Sequence, residues 1–193
     1  MLLKETTPAA LNPVPLAEFA AHLRLGYGFV DDGAENGLLE LYLRNAAAVI
    51  ERRTSQALIR RAYVLQSASY DRHGHLTLPI GPVAAIDAVR YVTPGSTITL
   101  DPEDWLLEPG TTRQRLTGPD GGPLWALPRG AVAELDFEAG YGASWESVPD
   151  DLRQAVLLLA SQYYENRFGD TPADDGLPYG VLAIVESHRP VRL

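Results

Sequence analysis

Apolar residues along this chain recur with two different periods, and the change of period divides it. From Val148 to Phe168 (VPDDLRQAVLLLASQYYENRF), Leu152, Ala155, Val156, Leu159, Ala160 and Tyr163 fall on one face of a helix. Pro149 suits the first helical position, and Asp150 and Asp151 put negative charge beside the free N–H groups of the first turn. Gly169 and Pro172 supply a stop. Leu157 and Tyr164 add a second apolar flank that suits either deeper burial in the chain's own core or a subunit contact.

The same period predicts a helix after Pro15, with Leu16, Phe19, Ala20 and Leu23 on one face and Gly26 as its stop. A longer helix is expected from about Ala34 to Ala57, with Leu39, Tyr42, Leu43, Ala46, Val49 and Ile50 inward. Asp32 and Glu35 have the capping-box spacing ahead of it, and Arg52 and Arg53 lie where cations suit its carbonyl end. Residues 1–13 read as a polar, proline-containing lead.

At Arg60 the period falls to two. Segments rich in Val, Ile, Tyr and Thr predict strands at Ala62–Ser69, His75–Leu78, Ile86–Val92, Thr97–Leu100, Trp105–Leu107, Gln114–Leu116 and Val132–Phe137. Pro94-Gly95 fits the centre of a type II turn. The pieces are too short and closely spaced for parallel βαβ units, so an antiparallel sandwich or barrel is expected. Four regions follow: N-terminal helices over 1–59, a β module over 60–139, a closing helix over 140–169 and an extended tail over 170–193. In the tail, an acidic connector precedes VLAIVESHRPVRL, whose Leu182, Ile184 and Val185 have no evident place in the chain's own core.

Composition narrows the functions open to this architecture. An apolar content of 46% over 193 residues supports one packed domain with an inserted module. The absence of cysteine excludes disulfides, thiolate catalysis and Cys-ligated zinc. A formal net charge of −9 argues against a dedicated nucleic-acid binder, yet suits DNA passing without adhesion. The N-terminal residues, with Lys4 and Glu5, lack the apolar stretch of a signal peptide, and no run is long enough to span a membrane.

Candidate chemistry is sparse. Asp71-Arg72-His73-Gly74-His75 reads first as a solvated hairpin tip, and as a metal site only with a third converging ligand. Asp101, Glu103 and Asp104 lack the alternation and glycine of a calcium loop. The Gly-Tyr-Gly triplets at Gly26 and Gly140 lack the lysine and spacing of a phosphate loop, and Ser144 lies in no nucleophile elbow. No acid, base and nucleophile assemble along the sequence, so no enzyme, cofactor or metal is expected. A metal-dependent hydrolase using Asp71, His73 and His75 is the third reading, behind the two below.

The order of motifs goes further than any single one. Pro15-Leu16-Ala17-Glu18 through Leu23-Arg24 is followed by Ala46-Ala47-Ala48-Val49-Ile50-Glu51 with Thr54. Leu78-Pro79-Ile80-Gly81-Pro82-Val83 precedes Val89-Arg90-Tyr91-Val92. Gly140-Tyr141-Gly142 leads through Val148-Pro149 to Leu152-Arg153 and Ala155-Val156, and the chain closes on a basic stretch from Arg189 to Leu193. In this order they resemble the head–tail connector (adaptor) family of tailed bacteriophages and gene transfer agents, in its branch with an inserted β module.

The resemblance implies an α+β fold: a small helical connector domain of about three to four helices, an inserted antiparallel β sandwich or barrel-like module, and an extended C-terminal tail. It implies a structural virion protein at the particle neck, assembled in the bacterial cytoplasm. Such proteins form a ring, commonly of about twelve copies, through heterologous contacts that close by rotation. The ring sits between the portal and the stopper or tail-completion protein, and double-stranded DNA leaves through its channel. Leu182, Ile184, Val185, His188, Arg189, Arg192 and Leu193 are then the expected portal contact, and Arg153, Leu157, Tyr164 and Arg167 the expected subunit interface. The second reading, from another class, is a virion module that binds a ligand or protein through its β insert without forming a ring.

Overall fold

The computed structural model describes residues 1–6, 16–23, 36–110, 113–166 and 176–189. Chain contacts divide it into two compact units: 1–9 with 55–143, and 10–54 with 144–193.

The first unit is built on β8 (Val132–Ala139), the middle strand of a five-stranded sheet. Strict alternation decides its role: Ala133, Leu135, Phe137 and Ala139 are buried while Glu134, Asp136 and Glu138 are half-buried on the other face. On one side β8 pairs antiparallel with β2 (Arg61–Ser67), setting Leu135 beside Leu65 and Phe137 beside Tyr63. On the other it pairs with β4 (Val83–Thr93), setting Leu135 beside Val89. The Tyr63 and Phe137 rings stack with centroids 5.5 Å apart.

The sheet ends on β1 (Leu2–Glu5) beyond β2 and on β5 (Ser96–Thr99) beyond β4. A smaller sheet of β3 (Leu76–Thr77), β7 (Arg115–Thr117) and β6 (Leu106–Leu107) contributes Leu76 and Leu116 to the same core cluster, with Leu78, Leu100 and Leu124. The module is therefore an open antiparallel sandwich, and its larger sheet does not close into a barrel.

Two local expectations change. Residues 2–5 are a strand, not a featureless lead, because their pairing partners lie at Tyr63–Gln66, far along the chain. At Pro94-Gly95, Gly95 is not among the residues with positive φ, and its N–H donates to the Thr93 carbonyl at 2.7 Å. The turn is thus a three-residue turn centred on Pro94 rather than type II, as proline's fixed φ allows.

Gly140 is where the unit needs glycine most. Its φ is +132°, and a Cβ there would lie 2.5 Å from the Arg60 Cα. That close approach lets Arg60 N–H donate to the Gly142 carbonyl at 2.7 Å, while the Tyr141 hydroxyl donates to Gln56 Oε1 at 2.7 Å. The Gly-Tyr-Gly triplet is a chain crossing.

The second unit contains α1 (Leu16–His22), α2 (Asn36–Thr54), α3 (Asp150–Glu165) and α4 (Tyr179–His188). Phe19, Leu39, Leu43, Ala46, Ile50, Leu152, Val156, Leu159 and Ala160 are buried within it, following the helical period. Trp145, in a short turn before α3, is 1% exposed, and its indole N–H donates to Glu18 Oε2 at 3.2 Å. Pro149 caps α3 one position ahead of the expected place.

The C-terminal segment expected to be extended contains α4 instead. Val181 and Val185, four residues apart on one face, are buried at 0% and 1% exposure, and α4 packs on α3. The helix-forming run VLAIVESH thus completes the unit's core. Among the described residues no helix is long and apolar enough to cross a membrane.

Candidate functional site

The expected contact residues divide sharply by environment. Val185 is committed to the helical unit's core, so it is not a free anchor. Leu182, one residue past Val181, turns away from that core and is 41% exposed. Ile184 flanks the buried face on the opposite side and is partly exposed. Arg189 ion-pairs with Glu186 at 2.7 Å, both side chains about half exposed. A chain cut after Gly180 would lose Val181 and Val185 from the core, so such a truncation tests folding as much as docking.

His188, one of the expected portal contacts, has a partner within the chain. Its Nε2 lies 2.6 Å from Asp151 Oδ2, joining the end of α4 to the first turn of α3. Burial opposes ionisation of Asp151, but hydrogen bonds from His188 and the Leu152 N–H outweigh it and hold the carboxyl below its ordinary range. The sequence signal was an acidic first turn with a histidine in the last turn of a helix, whose pairing only folding reveals.

The expected subunit-interface residues are also engaged. Leu157 is 7% exposed and belongs to the unit's own core, the first of its two readings. Tyr164 meets Tyr42 edge-on, with ring centroids 6.2 Å apart. Arg153 ion-pairs with Asp150 in the first turn of α3 and faces the field of Glu18 and Glu146. Arg167, Arg192 and Leu193 lie outside the described residues.

What sequence reasoning missed is a second stripe on α2. Leu38 and Leu41 are 38% and 50% exposed, and Asn45, Ala48 and Arg52 continue the same exposed line. The stripe borders a groove of about 530 Å³ between α2 and α3, lined by Tyr42, Asn45, Val49, Arg52, Tyr163 and Asn166. Burial pushes the Tyr163 hydroxyl pKa up, while the Arg52 charge pulls it down. Leucines at i and i+3 off the buried face were the available signal. On α4, Tyr179 and Leu182 form a matching exposed pair, Tyr179 at 87%.

In the β unit the histidine cluster is a turn. Asp71 Oδ1 accepts the backbone N–H groups of His73 and His75 at 2.8 and 2.9 Å, which holds its carboxyl below the usual range. Gly74, at φ +78°, sits against Pro123. Among the described residues no group of three or more His, Asp or Glu converges as metal ligands. Asp101 and Asp104 cap a short helical turn, as their flanking Pro102 suggests.

The chain is an α+β scaffold of a helical unit and an inserted antiparallel sandwich, with exposed apolar side chains aligned on α2 and α4. No protein-family model matches the chain, and no curated protein does. Solved structures do match, over 100% of this chain and 97% of theirs. A chain of the "Neck of empty GTA particle computed with C6 symmetry" is 44% identical with a TM-score of 0.87. One from the "Virion of native gene transfer agent (GTA) particle" is 45% identical at 0.86, and one from the "Neck of native GTA particle computed with C12 symmetry" is 40% identical at 0.82. The chain belongs to the head–tail connector (adaptor) family, in the branch of these gene transfer agent neck chains.

Proposed function

We propose that this chain is a structural protein of the particle neck, an adaptor that forms a ring between the portal and the stopper or tail. The observation that carries this reading is end-to-end similarity at 40–45% identity to chains of gene transfer agent necks, with both units covered. Necks solved with C6 and C12 symmetry support a rotational ring, which requires two different patches on each copy. The net charge of −9 suits a channel through which DNA slides, since phosphates find few cations to hold them.

The C-terminal segment is the proposed portal contact, through Ile184, Arg189, Arg192 and Leu193. The structure leaves Ile184 partly exposed and Arg189 half exposed, and it commits His188 and Val185 to the unit itself. The function follows from surfaces and needs no acid–base step.

The test is a symmetric reconstruction of the neck in particles that carry this chain. The expected result is a ring of copies at the head–tail joint, each fitting both units. A joint occupied by another protein, with this chain elsewhere or absent, overturns the reading.

A further inference from the structure

The ring reading leaves open which surfaces meet, and the helical unit offers a pair. The α2 stripe presents Leu38, Leu41 and Asn45; the α4 stripe presents Tyr179, Leu182 and Glu186. Both have the same three-then-four spacing, the repeat that lets two helices pack with their ridges interleaved. Aligned in parallel, Tyr179 falls on Leu38, Leu182 on Leu41, and Glu186 reaches Arg44, the neighbour of Asn45. The apolar residues then cover one another and the charges are opposite.

Both side-chain charges are available for exchange. Arg44 now pairs with Glu40 at 3.2 Å, and Glu186 with Arg189 at 2.7 Å, each a one-turn surface pair on its own helix. Such exposed pairs hold weakly, so re-pairing across an interface costs little. Within one chain α2 and α4 touch, yet Leu38, Leu41, Tyr179 and Leu182 all remain at least 38% exposed.

We propose that the α4 stripe of one copy docks in parallel on the α2 stripe of the next, forming the heterologous contact of the ring. The inference rests on the ring reading above. It takes a second copy as the occupant because the complement of each stripe, in spacing and charge, is present on the same chain. Using two different patches, it propagates by rotation instead of stopping at a dimer.

The chain has no cysteine, so disulfide trapping is clean. The test is mild oxidation of assembled particles carrying Leu41→Cys together with Leu182→Cys, or Leu38→Cys with Tyr179→Cys as an independent pair. The expected result is a ladder of covalent multimers at multiples of the 21.0 kDa chain, with each single-cysteine variant remaining monomeric. Incorporated double variants that yield no ladder from either pair overturn the contact while leaving the ring intact. A covalent dimer from Leu41→Cys alone, or a cross-link from Leu182→Cys to a different protein, overturns it as well. Particles that assemble without this chain would instead overturn the ring reading itself.

Discussion

In the β unit, the exposed large apolar side chains are scattered: Met1 and Leu2 at the N-terminus, Ile98 on β5, Leu106 on β6 and Trp125 in the loop before β8. In the helical unit they line up, Leu38 with Leu41 on α2 and Tyr179 with Leu182 on α4. Single exposed apolar residues are ordinary on a protein surface, whereas aligned ones make a contact surface. Exposed apolar side chains therefore carry different information in the two units. The sandwich scatters its exposed apolar residues, while the helical unit aligns them on α2 and α4.

That contrast can be broken at its foundations first. Phe137→Ala in the β unit and Trp145→Ala in the helical unit each remove a side chain no more than 1% exposed. Each is expected to cost about 3–5 kcal/mol, measured by urea unfolding, and to abolish incorporation into particles. Gly140→Ala follows, because the new Cβ must displace the Arg60 backbone from an already left-handed φ. A loss of about 1–3 kcal/mol is expected for the strained conformation alone, read as a lowered melting temperature.

One group in each unit also gives a pH-dependent readout of its stability. In the helical unit the Asp151 pKa is depressed in the folded chain, so its contribution is full above the unfolded value of about 4. It is lost as pH falls through the lower folded value, and Asp151→Asn should flatten that acid limb of a stability–pH profile. In the β unit, burial and a 2.9 Å hydrogen bond to Tyr91 raise the Tyr70 pKa. Its contribution is full below the unfolded value of about 10 and is lost as pH rises toward the folded one. Tyr70→Phe should flatten the alkaline limb and leave the acid limb unchanged.

The smallest effect on folding sharpens the comparison most. Leu41→Glu changes a half-exposed side chain and should alter stability by no more than about 0.5 kcal/mol. Yet the proposed contact between α2 and α4 of neighbouring copies predicts a large loss of incorporation into particles. Ile98→Glu on the exposed edge strand β5 should be as mild for folding and spare incorporation. Quantifying the chain in purified particles checks both.

The sequence announced the elements whose signals are local. Alternation in ELDFEAG fixes the central strand, and the spacing of Leu152 to Ala160 fixes α3, because each pattern lies within a few turns or pleats. The short strand Leu2–Glu5 was illegible, since its pairing partners are about sixty residues away and four residues carry little periodicity. The helix at Tyr179–His188 was misread as an extended tail because Val181 and Val185 gain meaning only against α3. Likewise the leucines at 38 and 41 could be told from core leucines only once Leu39 and Leu43 had taken the inward face. The family was legible through the order of its motifs, whereas the burial of Leu157 and Val185 was not, because it depends on how the helices pack.

The central claim is that this chain joins head to tail. Electron microscopy of particles produced from a gene with an early stop codon in this chain tests it most directly. The account predicts filled heads and separate tails that fail to join. Intact tailed particles would contradict it and would favour a binding module that acts through the β unit.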